Sequence, residues 1–138
     1  MKSLGISKRK LKIIDNVNGS IMHALKKSDD AFQGFGEVYF SHVSYKKIKA
    51  WKRHTRMTMN LVVPIGKVKF VFYDEDKKIF EEYNIGENDY YLLTVDPLIW
   101  FGFQGINQGK NLIMNIANIE HDPIEVERKD FMELGYLW

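Results

Sequence analysis

Residues 49–60 read KAWKRHTRMTMN, and the way this stretch faces decides what kind of fold the chain builds. Successive side chains of a strand point to opposite faces, so Lys52, His54, Arg56, Thr58 and Asn60 share one side. Trp51, Arg53, Thr55, Met57 and Met59 share the other. Two readings are open. Either the polar side stands in water while Trp51, Met57 and Met59 pack inward, or the polar side turns inward and lines a wet ligand cavity inside a barrel.

The flanking sequence supplies the rest of a β fold. KVKFVFYD (67–74) alternates cleanly, with Val68, Phe70 and Phe72 opposite Lys67, Lys69 and Val71, as a core-packing strand does. EVYFSHVSY (37–45) and AWKRHTRMTMNLVV (50–63) precede it, the latter closed by the turn PIG. IFEEYNI (79–85) follows the charged loop DEDKK, and YYLLTV (90–95) follows GEND and is broken by Asp96–Pro97. WFGFQGI (100–106), the turn NQGKN and LIMNIANI (112–119) complete the series. Seven strands with turn residues at regular spacing predict an all-β sandwich or barrel. Helix is expected in at most two places: 18–30, where Ile21, Met22 and Leu25 have near-helical spacing, and 128–138, where Asp130 is a candidate cap. With no internal repeat and no linker, residues 1–138 read as one domain.

Composition narrows the function classes. A length of 138 residues supports one hydrophobic core. An aromatic share of 14% favours a β-rich fold or an aromatic-lined cavity. The chain has no cysteine, which excludes disulfides and thiolate chemistry. No apolar run approaches the ~20 residues of a membrane span. The basic N-terminus lacks the apolar region of a secretory signal, so a cytoplasmic protein without a membrane partner is expected. Net charge is only +2, yet seven of the twenty basic residues fall within positions 1–27 against one acid, Asp15. That segment is either a solvated basic surface or one that attracts anions. Neither a basic helix nor an aromatic–basic RNA-binding strand is present, so nucleic acid is not an expected partner.

Two cations and an imidazole on one strand face suit an anionic ligand, or a carbonyl that gains negative charge during reaction. His54 beside Lys52 and Arg56 is expected to titrate low and to accept a proton near neutral pH. His23, His42, His54 and His121 form no metal-ligand spacing, so neither metal nor other cofactor is expected. No G-x-S-x-G motif occurs, and GKNL (109–112) lacks the spacing of a phosphate loop. In DPLIWFGFQGIN (96–107), Trp100, Phe101, Phe103 and Gln104 either stack on a base or sugar face or form an aromatic core strand. Asn115 and Asn118 interrupt an apolar strand; buried amides need partners, so each holds a turn or faces a cavity.

Taken in order, IKAWKRHTRM, VVPIGKVKFVFYD, DPLIWFGFQG and IANIEHDPIEVERKDF resemble the cupin-type jelly roll of the dTDP-4-dehydrorhamnose 3,5-epimerases and the related dTDP-4-keto-6-deoxyhexose ketoisomerases. The resemblance covers about residues 37–131. It implies an all-β jelly-roll barrel with short helical or irregular ends, working as a homodimer in polysaccharide biosynthesis. It also implies metal-free proton transfer beside the 4-keto group of a nucleotide-linked 6-deoxysugar. Lys49 stands at the family's first-motif arginine and Lys52 at its base histidine. His54 matches the second histidine of the ketoisomerases, Phe101 replaces a histidine, and the epimerase tyrosine falls near Asn115. On this resemblance His54 is expected as the base and Lys52 as the cation that stabilises an enolate. Lys49, Arg56, Asn60, Trp100, Gln104 and Asn115 are expected to bind substrate. The departures leave open a second outcome, a cupin that binds sugar nucleotides or glycans without catalysis.

Overall fold

The structure, a computed structural model, describes residues 4–138; Lys2, one of the N-terminal basic residues, lies outside them. In chain order the strands are β1 (Ile6–Lys10), β2 (Ile13–Ile14), β3 (Ile21–Met22), β4 (Glu37–His42), β5 (Ile48–His54) and β6 (Met59–Ile65). They continue with β7 (Lys67–Asp74), β8 (Ile79–Gly86), β9 (Tyr91–Val95), β10 (Trp100–Gly105), β11 (Leu112–Ala117) and β12 (Val126–Arg128). Two five-stranded sheets form, ordered β1-β9-β6-β11-β4 and β12-β5-β10-β7-β8, beside a small β2–β3 ribbon. All the strand pairings in them are antiparallel. This is the all-β architecture expected from the strand pattern, and the jelly roll that the resemblance implies.

Alternation builds the core. Leu61, Val63, Leu93 and Val95 of the first sheet meet Val68, Phe70, Phe72 and Ile85 of the second, all buried. Gly66 turns β6 into β7 at φ 83, and a Cβ there would lie 2.2 Å from the Lys110 carbonyl oxygen. Only glycine satisfies both constraints.

The stretch 50–63 is not one strand. β5 belongs to the second sheet and β6 to the first, with a bend at 55–58 between them. Lys52 and His54 point inward before the bend, and Met57, Met59, Leu61 and Val63 point inward after it. Glu125, at the end of a 3-10 turn (Pro123–Glu125) capped by Asp122, holds the bend. Its carboxylate accepts from the Arg56 and Met57 N–H groups at 3.0 and 3.2 Å. Its backbone carbonyl accepts from the Thr55 N–H at 2.8 Å. Asn118 closes the far side, its Oδ1 accepting from the Thr58 N–H at 2.8 Å.

Neither expected helix forms. Met22, Ala24, Leu25 and Ala31 lie in an extended wrap over Leu11, Val62, Tyr90 and Leu92 on the outer face of the first sheet, so their spacing serves sheet packing. At the other end Asp130 does cap a turn, with Glu133 Oε1 accepting from the Asp130 N–H at 2.8 Å, the reciprocal bond of a capping box. That turn ends at Gly135, at φ 69, and Leu134, Tyr136 and Trp138 pack against Trp51, Val71 and Trp100 on the outer face of the second sheet.

Candidate functional site

The β5–β10 register sets which cations face inward. Phe101 lies opposite Lys52 and Trp100 opposite Arg53; the register then shifts, and Gly102 and Phe103 pair with Ala50 and Lys49. The extra residue is Trp51, which joins Ala50 on the outer face in the cluster with Trp138. The bulge thereby brings Lys49 and Lys52 to the same inner face, although they are three apart. Gly102 permits this contact: a Cβ there would lie 2.5 Å from the Ala50 Cβ and 3.0 Å from Trp138 Cζ2.

Between the sheets lies a cavity of about 260 Å³. Met59, Leu61, Phe70, Phe101, Phe103 and Ile113 form its apolar wall; Tyr39, Ser41, Lys49, Lys52, Asn115 and Arg128 supply its polar groups, while Lys129 borders it with its ammonium turned outward to Glu75 and Glu133 over the Trp100 ring. No carboxylate of the described residues lines it. Among the described residues the Lys52 ammonium has no hydrogen-bond or ion-pair partner. Burial holds its pKa below the usual lysine range, and the nearby charges of Arg128 and Lys49 lower it further. Lys49 Nζ donates to the His42 carbonyl at 2.7 Å.

Asn115 and Tyr39 meet across the β11–β4 pair, where they are directly opposite. The Asn115 amide donates to the Tyr39 hydroxyl oxygen at 3.0 Å, while its buried Oδ1 has no partner. Burial raises the Tyr39 pKa; the Asn115 bond opposes this, and the Glu37 and Glu125 charges add to it. The phenol is therefore protonated at neutral pH, with its hydrogen free to donate.

His54 is buried and pairs through Nδ1 with Glu125 Oε1. The imidazole does not line the cavity. At that level the lining ring is Phe101, which stacks on it at 5.9 Å between centroids and 15° between planes. Burial holds the His54 pKa below its ordinary value against the pull of Glu125, with Lys52 and His121 adding to the lowering. Burial pushes the Glu125 carboxyl up, but the bonds from His54 and from the Arg56 and Met57 N–H groups outweigh it and leave it low. A neutral imidazole thus donates from Nδ1 to a carboxylate, and Nε2 is a buried lone pair without a partner.

Of the residues singled out in the sequence, Lys49, Lys52 and Asn115 come together on the cavity, and His54 sits behind Phe101. Four others lie elsewhere. Arg56 follows the bend and is exposed, paired with Asp122 at 2.8 Å. Asn60 faces the outer wrap, where its Oδ1 accepts from Thr94 and its Nδ2 donates to the Ala31 carbonyl. Trp100 packs in the outer aromatic cluster, with the Arg53 guanidinium 4.8 Å over its ring. Gln104, on the same outward parity of β10, donates to the Lys46 carbonyl. The bend accounts for Arg56 and Asn60, since the polar face of 52–60 is not continuous. Among the described residues no group of three His, Cys, Asp or Glu side chains is placed to hold a metal ion.

Sequence reasoning missed Tyr39, Arg128 and Glu125. Tyr39 and Ser41 share a parity on β4 that the apolar Val38 and Phe40 mask. Glu125 carried one faint signal, a carboxylate just after Asp122–Pro123, the letters of a capped turn.

No protein-family model matches the chain, and no curated protein matches it. Solved structures do. A dTDP sugar isomerase from Desulfovibrio desulfuricans G20 is 32% identical, with a TM-score of 0.89 over 94% of this chain and 86% of that one. A sugar 3,4-ketoisomerase from Thermoanaerobacterium thermosaccharolyticum in complex with TDP shares the fold at 19% identity, with a TM-score of 0.77 over 91% and 88%. A dTDP-4-dehydrorhamnose 3,5-epimerase from Sulfolobus tokodaii shares it at 16% identity, with a TM-score of 0.82 over 94% and 79%.

Proposed function

The chain belongs to the dTDP-sugar isomerase family, and on that premise we propose that it moves protons beside the keto group of a nucleotide-linked 4-keto-6-deoxysugar, as an epimerase or ketoisomerase. The observation that carries this reading is the cavity: a lysine without a counter-ion shares it with a protonated phenol and an unpaired amide oxygen. At about 260 Å³ it lies just below the 300 Å³ or so of a typical small-molecule pocket and suits the sugar end of the ligand. The apolar wall of Leu61, Phe70 and Ile113 suits a 6-methyl group, and Asn115 Oδ1 suits a sugar hydroxyl. Lys49 and Arg128 supply the positive charge that a diphosphate needs.

A hydrogen on carbon beside a ketone leaves as a proton when the enolate charge on oxygen is met by a fixed cation, and Lys52 supplies one. Tyr39 is the proton donor within the cavity. His54, expected from the sequence as the base, acts through Glu125 as a positioning residue. Its ring stands behind Phe101, and its bond to Glu125 helps to fix the bend that follows Lys52. The reading includes a homodimer in the cytoplasm that serves polysaccharide synthesis. Incubating the protein with dTDP-4-keto-6-deoxyglucose in D₂O tests it: deuterium is expected at C3 or C5 by NMR, slowed strongly in Lys52→Met. A folded protein that binds the nucleotide sugar without exchange is instead a non-catalytic binder, and one that neither binds nor exchanges is not a keto-sugar protein at all.

A further inference from the structure

We infer that Lys52 is a nucleophile: within the cavity its amine condenses with the keto carbon of the sugar, and the resulting iminium is the electron sink for proton transfer at the neighbouring carbon. The inference rests on the keto-sugar reading above and gives Lys52 a covalent role in place of a purely electrostatic one.

Three observations support it. The β5 bulge places Lys52 on the inner face opposite Phe101, so its amine enters the chamber from an aromatic wall. Among the described residues no carboxylate lines the chamber and the amine has no ion-pair partner, so nothing there fixes it as an ammonium. Its charged neighbours, Lys49 and Arg128, are both cations, and together with burial they favour the free amine. A desolvated lysine beside other cations is the arrangement that activates an amine toward carbonyls. A lysine that served only as a cation would gain from the reverse environment.

The cavity also balances the chemistry. The Nζ lone pair attacks the carbonyl carbon, the C=O π pair moves to oxygen, and proton transfer from nitrogen gives a carbinolamine. Tyr39 gives its proton to the departing hydroxyl, water leaves, and the C=N⁺ bond forms. The phenolate then takes the proton from the adjacent carbon, and the C–H electron pair flows into the iminium as an enamine. Reprotonation at carbon followed by addition of water releases a ketone and the free amine, so the water lost is regained and no oxidant or reductant is consumed.

Reductive trapping tests this. The protein is incubated with dTDP-4-keto-6-deoxyglucose and sodium cyanoborohydride, which reduces an iminium by two electrons, and intact mass and peptide mapping are read. The expected product is a single adduct at Lys52, heavier than the protein by the nucleotide sugar less one oxygen atom. It is lost in Lys52→Arg, which keeps the charge, and in Lys52→Met, which tolerates the apolar wall if arginine does not fold. Deuterium exchange by the wild type without an adduct, or exchange retained in Lys52→Arg, overturns the nucleophile and leaves the isomerase reading standing. Absence of adduct, exchange and any thermal shift with the nucleotide sugar overturns both. An adduct at other lysines that persists in both variants also overturns the inference.

Discussion

At the residue scale the tightest constraint falls on Glu125, buried at 2% exposure with His54 Nδ1 and the Arg56 and Met57 N–H groups directed at its two oxygens. Glu125→Ala leaves those donors without a partner and is expected to destabilise the fold by about 3 kcal/mol at neutral pH. The pH dependence has a definite sign. Glu125 is held below its ordinary 4.5, so the unfolded chain takes up this proton at a higher pH than the native one. Its contribution is present above about pH 4.5 and is lost as the pH falls through the lower native value. His54 is also held below its ordinary 6.5, so the unfolded imidazole protonates first and stability declines from about pH 6.5 downward. Urea unfolding across that range should show wild-type stability falling as acid is added, with the gap to Glu125→Ala narrowing below about pH 4.5. A gap that stays constant would mean that Glu125 is not ionised in the fold. Lys52 was legible in the sequence because strand parity is local. Glu125 was not, because its partners lie about seventy positions away and carry no local pattern.

At the scale of elements, the sequence showed the seven strands from 37 to 119 but not how 50–63 divides. On paper the alternation runs unbroken through Lys52, His54, Arg56, Thr58 and Asn60, with Met57 and Met59 on the other face. The bend inverts the parity, so polar and apolar residues of opposite register both face inward. A second disturbance, the Trp51 bulge, brings Lys49 and Lys52 together, and Gly102 makes room for it. Gly102→Ala sets a methyl group 2.5 Å from the Ala50 Cβ. The two strands must part, and overpacking of this kind is expected to cost about 1–3 kcal/mol. Because the shift falls one residue from Lys52, the variant should also lose deuterium exchange beyond what partial unfolding explains, read as the exchange rate per folded molecule. Stability lost with the per-molecule rate unchanged would show that the bulge does not aim Lys52.

At the scale of the whole molecule, the first sheet ends in β4, whose outer edge has no strand partner among the described residues. Exposed edges are normally blunted by charge, proline or a bulge. Here Val38 and Phe40 stand 42% and 60% exposed, and Phe35 just before them is 66% exposed. Tyr39 lies between those two residues on the inward parity, so the open edge is also a rim of the cavity. A second copy seated on β4 would satisfy the edge, cover the apolar side chains and shield the phenol from water, and so would account for all three features with one contact. Phe40 pairs with Met114 on the face away from the cavity, which makes Phe40→Lys a substitution that disturbs the edge without entering the site. Sedimentation of the wild type is expected to give twice the 16.2 kDa chain mass, and Phe40→Lys is expected to sediment as the monomer at the same concentration. If the partner shields Tyr39, the monomeric variant also exchanges deuterium more slowly while unfolding with an unchanged denaturant slope. A wild type that sediments at the mass of one chain at every concentration would leave β4 a true free edge and the cavity open to solvent on that side.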